Sequence, residues 1–109
     1  MDDPIEHPTP LAALVDYRPG SVVSRVLLRN EGGTMTVFAF AAGEGLSEHA
    51  TPHDATILLL EGDVRVTIGN VSHDVGPGQI LRLPASVPHA LHGAGAFKML
   101  LTILKTPTT

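Results

Sequence analysis

The chain has 109 residues, a formal net charge of −4 with only seven Lys and Arg, and no cysteine. That length fits one domain, and so few basic residues argue against nucleic acid as a partner, because phosphate binding needs a clustered cationic surface. Without thiols there are no disulfides, and any tightly held metal must be bound by His, Asp or Glu. Hydrophobic residues at 43% against 17% charged give an ordinary globular balance. With no Trp, one Tyr and three Phe, the core must come mainly from Val, Leu, Ile and Ala. Eleven glycines and nine prolines provide many turns, which favours an all-β fold. The start, Met1-Asp2-Asp3-Pro4, lacks the basic and apolar stretches of a signal peptide. No apolar run is long enough to span a membrane, so a cytoplasmic location is expected.

In chain order, residues 1–20 read as an N-terminal arm, whose proline-rich residues 1–10 are extended and could lie on a partner subunit. Residues 11–17 are apolar and short, open to either a helical turn or a strand. Arg18-Pro19-Gly20 signals a turn. The barrel domain then covers residues 21–105. Residues 21–29 and 34–41 read as strands joined at Asn30-Glu31-Gly32-Gly33, a hairpin. Residues 42–54 are the least regular stretch. The apolar run 55–60 is too short for a typical helix and reads as a buried strand. Val64, Val66 and Ile68 alternate with Arg65 and Thr67, the pattern of a half-buried strand. Gly69-Asn70 turns into residues 71–75, and Gly76-Pro77-Gly78 into residues 79–83. Residues 88–92 are short. Residues 97–104 place Phe97, Met99, Leu101 and Ile103 on one face. Short strands with closely spaced turns point to a sandwich or barrel.

Two stretches carry a pattern of their own. Gly78 is followed by Pro84 and then Pro88-His89, with Ser86 and Gly93 between and after. Upstream, Gly43 or Gly45, His49, Thr51, Ala55 and Gly62 fall in sequence, the last in Leu60-Glu61-Gly62-Asp63. Over residues 20–104 these features resemble the small single-domain cupins of the conserved-barrel, RmlC-like type. The resemblance implies a double-stranded β-helix, or jelly-roll barrel. The first cupin motif has two histidines one residue apart, a glutamate and a closing glycine. The second has glycine, proline, glycine, histidine and asparagine. The second motif matches with Ser86 in place of its inner glycine and Gly93 in place of its asparagine. In the first, Thr51 replaces the second histidine and Ala55 the glutamate.

The resemblance places His49 and His89 facing each other across the barrel interior as ligands of a divalent transition metal (Zn, Ni, Mn or Fe). Alanine cannot ligate and threonine ligates poorly, so Thr51 and Ala55 leave that set short. His53 shares strand parity with His49, but in an extended strand the two would lie about 13 Å apart at Cα. A bend at Thr51-Pro52 would be needed to converge His49, His53 and His89 as a three-histidine site with open positions for water or substrate. Thr51 and Asp54 would then line the pocket or orient a ligand histidine. The bland reading of His49 and His89 is a pair of pocket histidines holding a polar ligand. His7, His73 and His92 are assigned surface or structural roles.

The functional expectation is a small cupin that binds a metal and acts on or binds a small molecule, with oxygenase or isomerase chemistry implied by the resemblance. The alternative is a metal-free binding or sensing module, which the absent motif glutamate favours. No P-loop, dinucleotide-binding or nucleophile-elbow pattern is present, so no organic cofactor is expected. A homodimer is implied by the family resemblance and by the two-sided apolar strands.

Overall fold

The computed structural model describes residues 5–105. The first four residues of the expected arm lie outside them. Among the described residues the chain forms a 3-10 helix, Leu11–Leu14, and nine strands. These are β1 (Val22–Asn30), β2 (Gly33–Phe40), β3 (Gly45–His49), β4 (Asp54–Glu61), β5 (Val64–Ile68), β6 (Val71–Val75), β7 (Ile80–Leu83), β8 (His89–His92) and β9 (Phe97–Leu104). They make a five-stranded sheet in the order β1-β2-β9-β4-β7 and a four-stranded sheet in the order β3-β8-β5-β6. The strand pairs are antiparallel throughout. The fold is all-β, as the strand pattern suggested, and has the jelly-roll form that the resemblance implied.

The inward faces of the two sheets share one core. Ala55, Ile57 and Leu59 of β4 meet Val64, Val66, Leu83, Leu91, Phe97 and Met99 there. Phe40 and Phe97 are cross-strand partners, fully buried, and stack with centroids 4.4 Å apart. Such a pair contributes about 0.5–1.5 kcal/mol beyond its burial. The alternate residues of the same strands are also covered. Val37, Ala39 and Leu100 lie on the outer face of the five-stranded sheet with Val15 and Leu27, flanked by Leu58 and Leu60. This second cluster explains why β4 reads as an unbroken apolar run, since both of its faces are shielded.

The cover on that outer face is the N-terminal arm. Its residues 11–15 pack on their own chain. Val15 is buried against the sheet, and Leu11 and Leu14 pack beside it. Lys98 of β9 holds the arm down by donating from Nζ to the Ala12 carbonyl at 2.7 Å. Its ammonium also pairs with Glu61 at 3.1 Å and lies 5.0 Å from the centre of the Tyr17 ring. Burial, then the nearby Glu61 charge, raises the Tyr17 phenol above its usual pKa. A charge this well covered is tolerable because each neighbour is an acceptor, an anion or an aromatic face.

Gly62 turns β4 into β5 with φ +82°. A Cβ there would collide with the Ala96 carbonyl oxygen and come within 2.8 Å of the Phe97 Cβ. Both backbone conformation and contact therefore call for glycine at this turn.

Candidate functional site

β3 and β8 build the site. Leu46 pairs with Leu91, and His49 pairs with His89, so three steps along β3 match two along β8. The extra residue is a β-bulge. It turns His49 to the same side of the strand as Leu46, which packs on the core. In a regular strand, residues three apart would face opposite sides. The bulge thus brings His49 against His89, with ring centroids 4.4 Å apart and planes at 66°.

Both rings are oriented by backbone. His49 Nδ1 lies 2.9 Å from the Ser47 carbonyl, and His89 Nδ1 lies 3.3 Å from the Val87 carbonyl. A carbonyl oxygen only accepts, so each Nδ1 carries the proton. In the neutral ring this leaves Nε2 with its lone pair, the arrangement that metal-binding histidines use. His49 is exposed and His89 is buried. Burial is the main cause holding the His89 pKa below its usual value; His49 adds to it, and the Val87 carbonyl bond opposes it. His89 therefore stays neutral at neutral pH. The 4.4 Å centroid spacing and 66° interplanar angle put the two rings in edge contact.

The chain leaves β3 at His49 and bends at residues 52–53 before entering β4. The chain thus bends next to Thr51, and the bend carries internal bonds of its own. The Thr51 hydroxyl donates to the His53 carbonyl at 3.1 Å and accepts from the His53 N–H at 3.3 Å. The Thr51 carbonyl accepts from the Ser86 N–H at 2.7 Å. Among the described residues no three His, Asp or Glu side chains gather into a group able to hold a metal. The structure thus brings His49 and His89 together. Ala55 is buried in the core, where the family glutamate would stand. His7, His73 and His92 are all exposed.

Asp54 was expected near a ligand histidine. Its Oδ1 accepts from the Ala85 N–H at 2.9 Å and pairs with Arg82 at 3.2 Å, joining the start of β4 to the loop after β7. The Ala85 bond first, and Arg82 second, hold its carboxyl below the usual carboxylate range. A lowered folded-state pKa adds stability that is present above the unfolded value and lost as pH falls through the folded one. Asp54→Asn is expected to lower the melting temperature by a few degrees at neutral pH. The gap to the parent should close below about pH 4. Thermal melts across pH test this, and an undiminished gap at the acid end would refute it.

Ser86 is the only described non-glycine residue with positive φ, at 64°. It occupies the inner glycine of the second motif, so the geometry accounts for glycine there. Ser86→Gly relieves about 1–2 kcal/mol of left-handed strain, offset in part by glycine's larger unfolded-state entropy. The expected net gain is about 0.5–1 kcal/mol, read as a higher denaturation midpoint. A lower midpoint would show that the serine side chain matters more than the backbone.

A family profile described as "Cupin domain" matches residues 36–103. The chain belongs to the cupin family. Solved structures agree with this. A conserved protein of unknown function from Streptococcus pyogenes is 31% identical, with TM-score 0.88 and coverage of 94% of this chain and 90% of that one. A cupin superfamily protein from Desulfitobacterium hafniense is 36% identical, with TM-score 0.89 and 94% of each chain covered. A cupin conserved-barrel protein from Leptotrichia buccalis is 35% identical with TM-score 0.82, and 86% of this chain matches 46% of that one. No curated protein matches this cupin. Among its described residues no helix is long and apolar enough to cross a membrane.

Proposed function

We propose that this cupin binds a small molecule at the His49–His89 pair through a divalent transition metal that the two Nε2 atoms hold. The observation that carries this reading is that both Nδ1 atoms face backbone carbonyls, which leaves the Nε2 atoms of two adjacent rings as the available ligand atoms. A bound ion would supply Lewis acidity, which serves oxygenase or isomerase chemistry by polarising a ligand oxygen. The chain's own contribution is to keep His89 neutral by burial and to fix both rings. His53, within the adjoining bend, belongs to the rim of this site.

The absence of a third gathered donor favours a second reading, a metal-free pocket in which the two Nε2 atoms accept hydrogen bonds from a polar ligand. Thermal melting with nickel, zinc, manganese or iron(II) separates the two. A ligand at about a hundred times its dissociation constant adds about 2.7 kcal/mol. On the metal reading the melting temperature rises with at least one ion. No response to any of them leaves the metal-free pocket.

The same reading includes a homodimer. The outer face of the five-stranded sheet, beyond the arm, exposes Leu28 and Leu104 beside a groove of about 270 Å³ that Met35 and Thr102 also line. A second copy would cover this apolar face. Sedimentation at micromolar concentration should show twice the chain mass; a monomer would contradict the assembly.

A further inference from the structure

Not all the cations of this acidic chain sit in ion pairs. Among the described residues the ion pairs engage Arg65, Arg82 and Lys98. Arg18 and Arg25 instead line one cleft of about 350 Å³, where the arm turns back into β1. That volume lies at the small end of ligand pockets, which run to about 300–1,000 Å³. Asp16 and Arg18 come from the arm, and Arg25 comes from β1. Leu14, Val15 and Val23 give the cleft an apolar lining. Its walls are held in place. The Ser21 N–H donates to the Arg18 carbonyl at 3.0 Å and closes the reversal, while Lys98 ties the arm down at Ala12. Arg25 reaches across from β1 and donates from Nη1 to the Leu14 carbonyl at 3.5 Å. A guanidinium has five N–H donors, so this contact leaves most of them for a ligand.

The opposite charges in the cleft are kept apart. Among the described residues no ion pair joins the Asp16 carboxylate to either guanidinium, although all three side chains line the same space. Such a lining matches a ligand that carries both charges itself. We infer that the cleft binds a zwitterionic α-amino acid with an aliphatic side chain. Its carboxylate pairs with Arg18 and Arg25, its ammonium with Asp16, and its side chain lies over Leu14, Val15 and Val23. A plain carboxylic acid would bring its charge towards Asp16, and a plain amine towards the two guanidiniums. Each would leave protein charge unanswered, which is how the cleft selects the dipolar ion. The site is independent of the His49–His89 pair, which β3 and β8 carry.

NMR titration of the full chain with L-leucine tests this, beside isocaproate, which is leucine without its amino group, and isoamylamine, which is leucine without its carboxylate. L-leucine should shift the backbone amides of residues 15–18 and 23–25 to saturation. Each analogue should bind at least about fivefold more weakly, the scale of one exposed ion pair. Arg25→Gln and Asp16→Asn, both at exposed positions, should each weaken leucine by a similar factor, while Asp16→Asn should tighten isocaproate. No saturating shift at the cleft overturns the inference. So does isocaproate binding as tightly as leucine, which would make the cleft a plain anion site. Shifts centred on residues 46–49 and 89–91 would place the amino acid in the barrel and overturn it equally.

Discussion

Gly62→Ala is expected to destabilise the protein by about 2–5 kcal/mol, a large share of the 5–15 kcal/mol that holds a typical domain together. Two costs add. A left-handed φ of +82° costs an L-residue about 1–2 kcal/mol. The new methyl group would press on the Ala96 carbonyl and the Phe97 backbone, and overpacking of this kind costs about 1–3 kcal/mol. Gly20 isolates the first cost, because it has φ +69° with nothing within 4 Å of an added Cβ. Urea denaturation of both variants should therefore show Gly62→Ala losing about 1–3 kcal/mol more than Gly20→Ala. Equal losses would mean that Phe97 moves aside freely and that the turn is not packed as described.

His89→Ala should weaken metal binding by about a hundredfold or more, since even the outer partners of ligand histidines are worth about 10–100-fold. The buried, neutral ring at position 89 is the better preorganised half of the pair. His73→Ala, on the exposed face of β6, should bind as the parent does. Titration calorimetry with nickel reads both, and a melting curve confirms that each variant is folded. Equal binding in the two variants would remove the pair from the metal account.

Much of the barrel was legible because its strands are defined by local pattern. The inward series Phe97, Met99, Leu101 and Ile103 follows strict alternation, and all four pack on the inner core. Position 89 was legible through the proline-histidine spacing of the second motif. β3 was harder to read because Gly45-Leu46-Ser47-Glu48-His49 has a single apolar residue and no alternation to mark a strand. The bulge that aims His49 is a property of β3 against β8, not of either sequence alone. The bond that holds Asp54 was hidden for a similar reason: its partner Ala85 lies 31 positions away, beyond any local pattern. The arm's route was hidden in the same way, since the Lys98–Ala12 bond spans 86 positions.

The central claim is that His49 and His89 are rings with Nδ1 turned to backbone carbonyls and Nε2 atoms that together accept a metal. Ring-nitrogen NMR of the protein's six histidines, recorded before and after zinc is added, tests it most directly. Before zinc, these two rings should show Nδ1–H and an unprotonated Nε2. Zinc should then shift both Nε2 signals together, and neither pair member should respond when the other is replaced by alanine. Zinc-dependent shifts at His7, His73 or His92 alone, or no shift at any ring, would contradict the account.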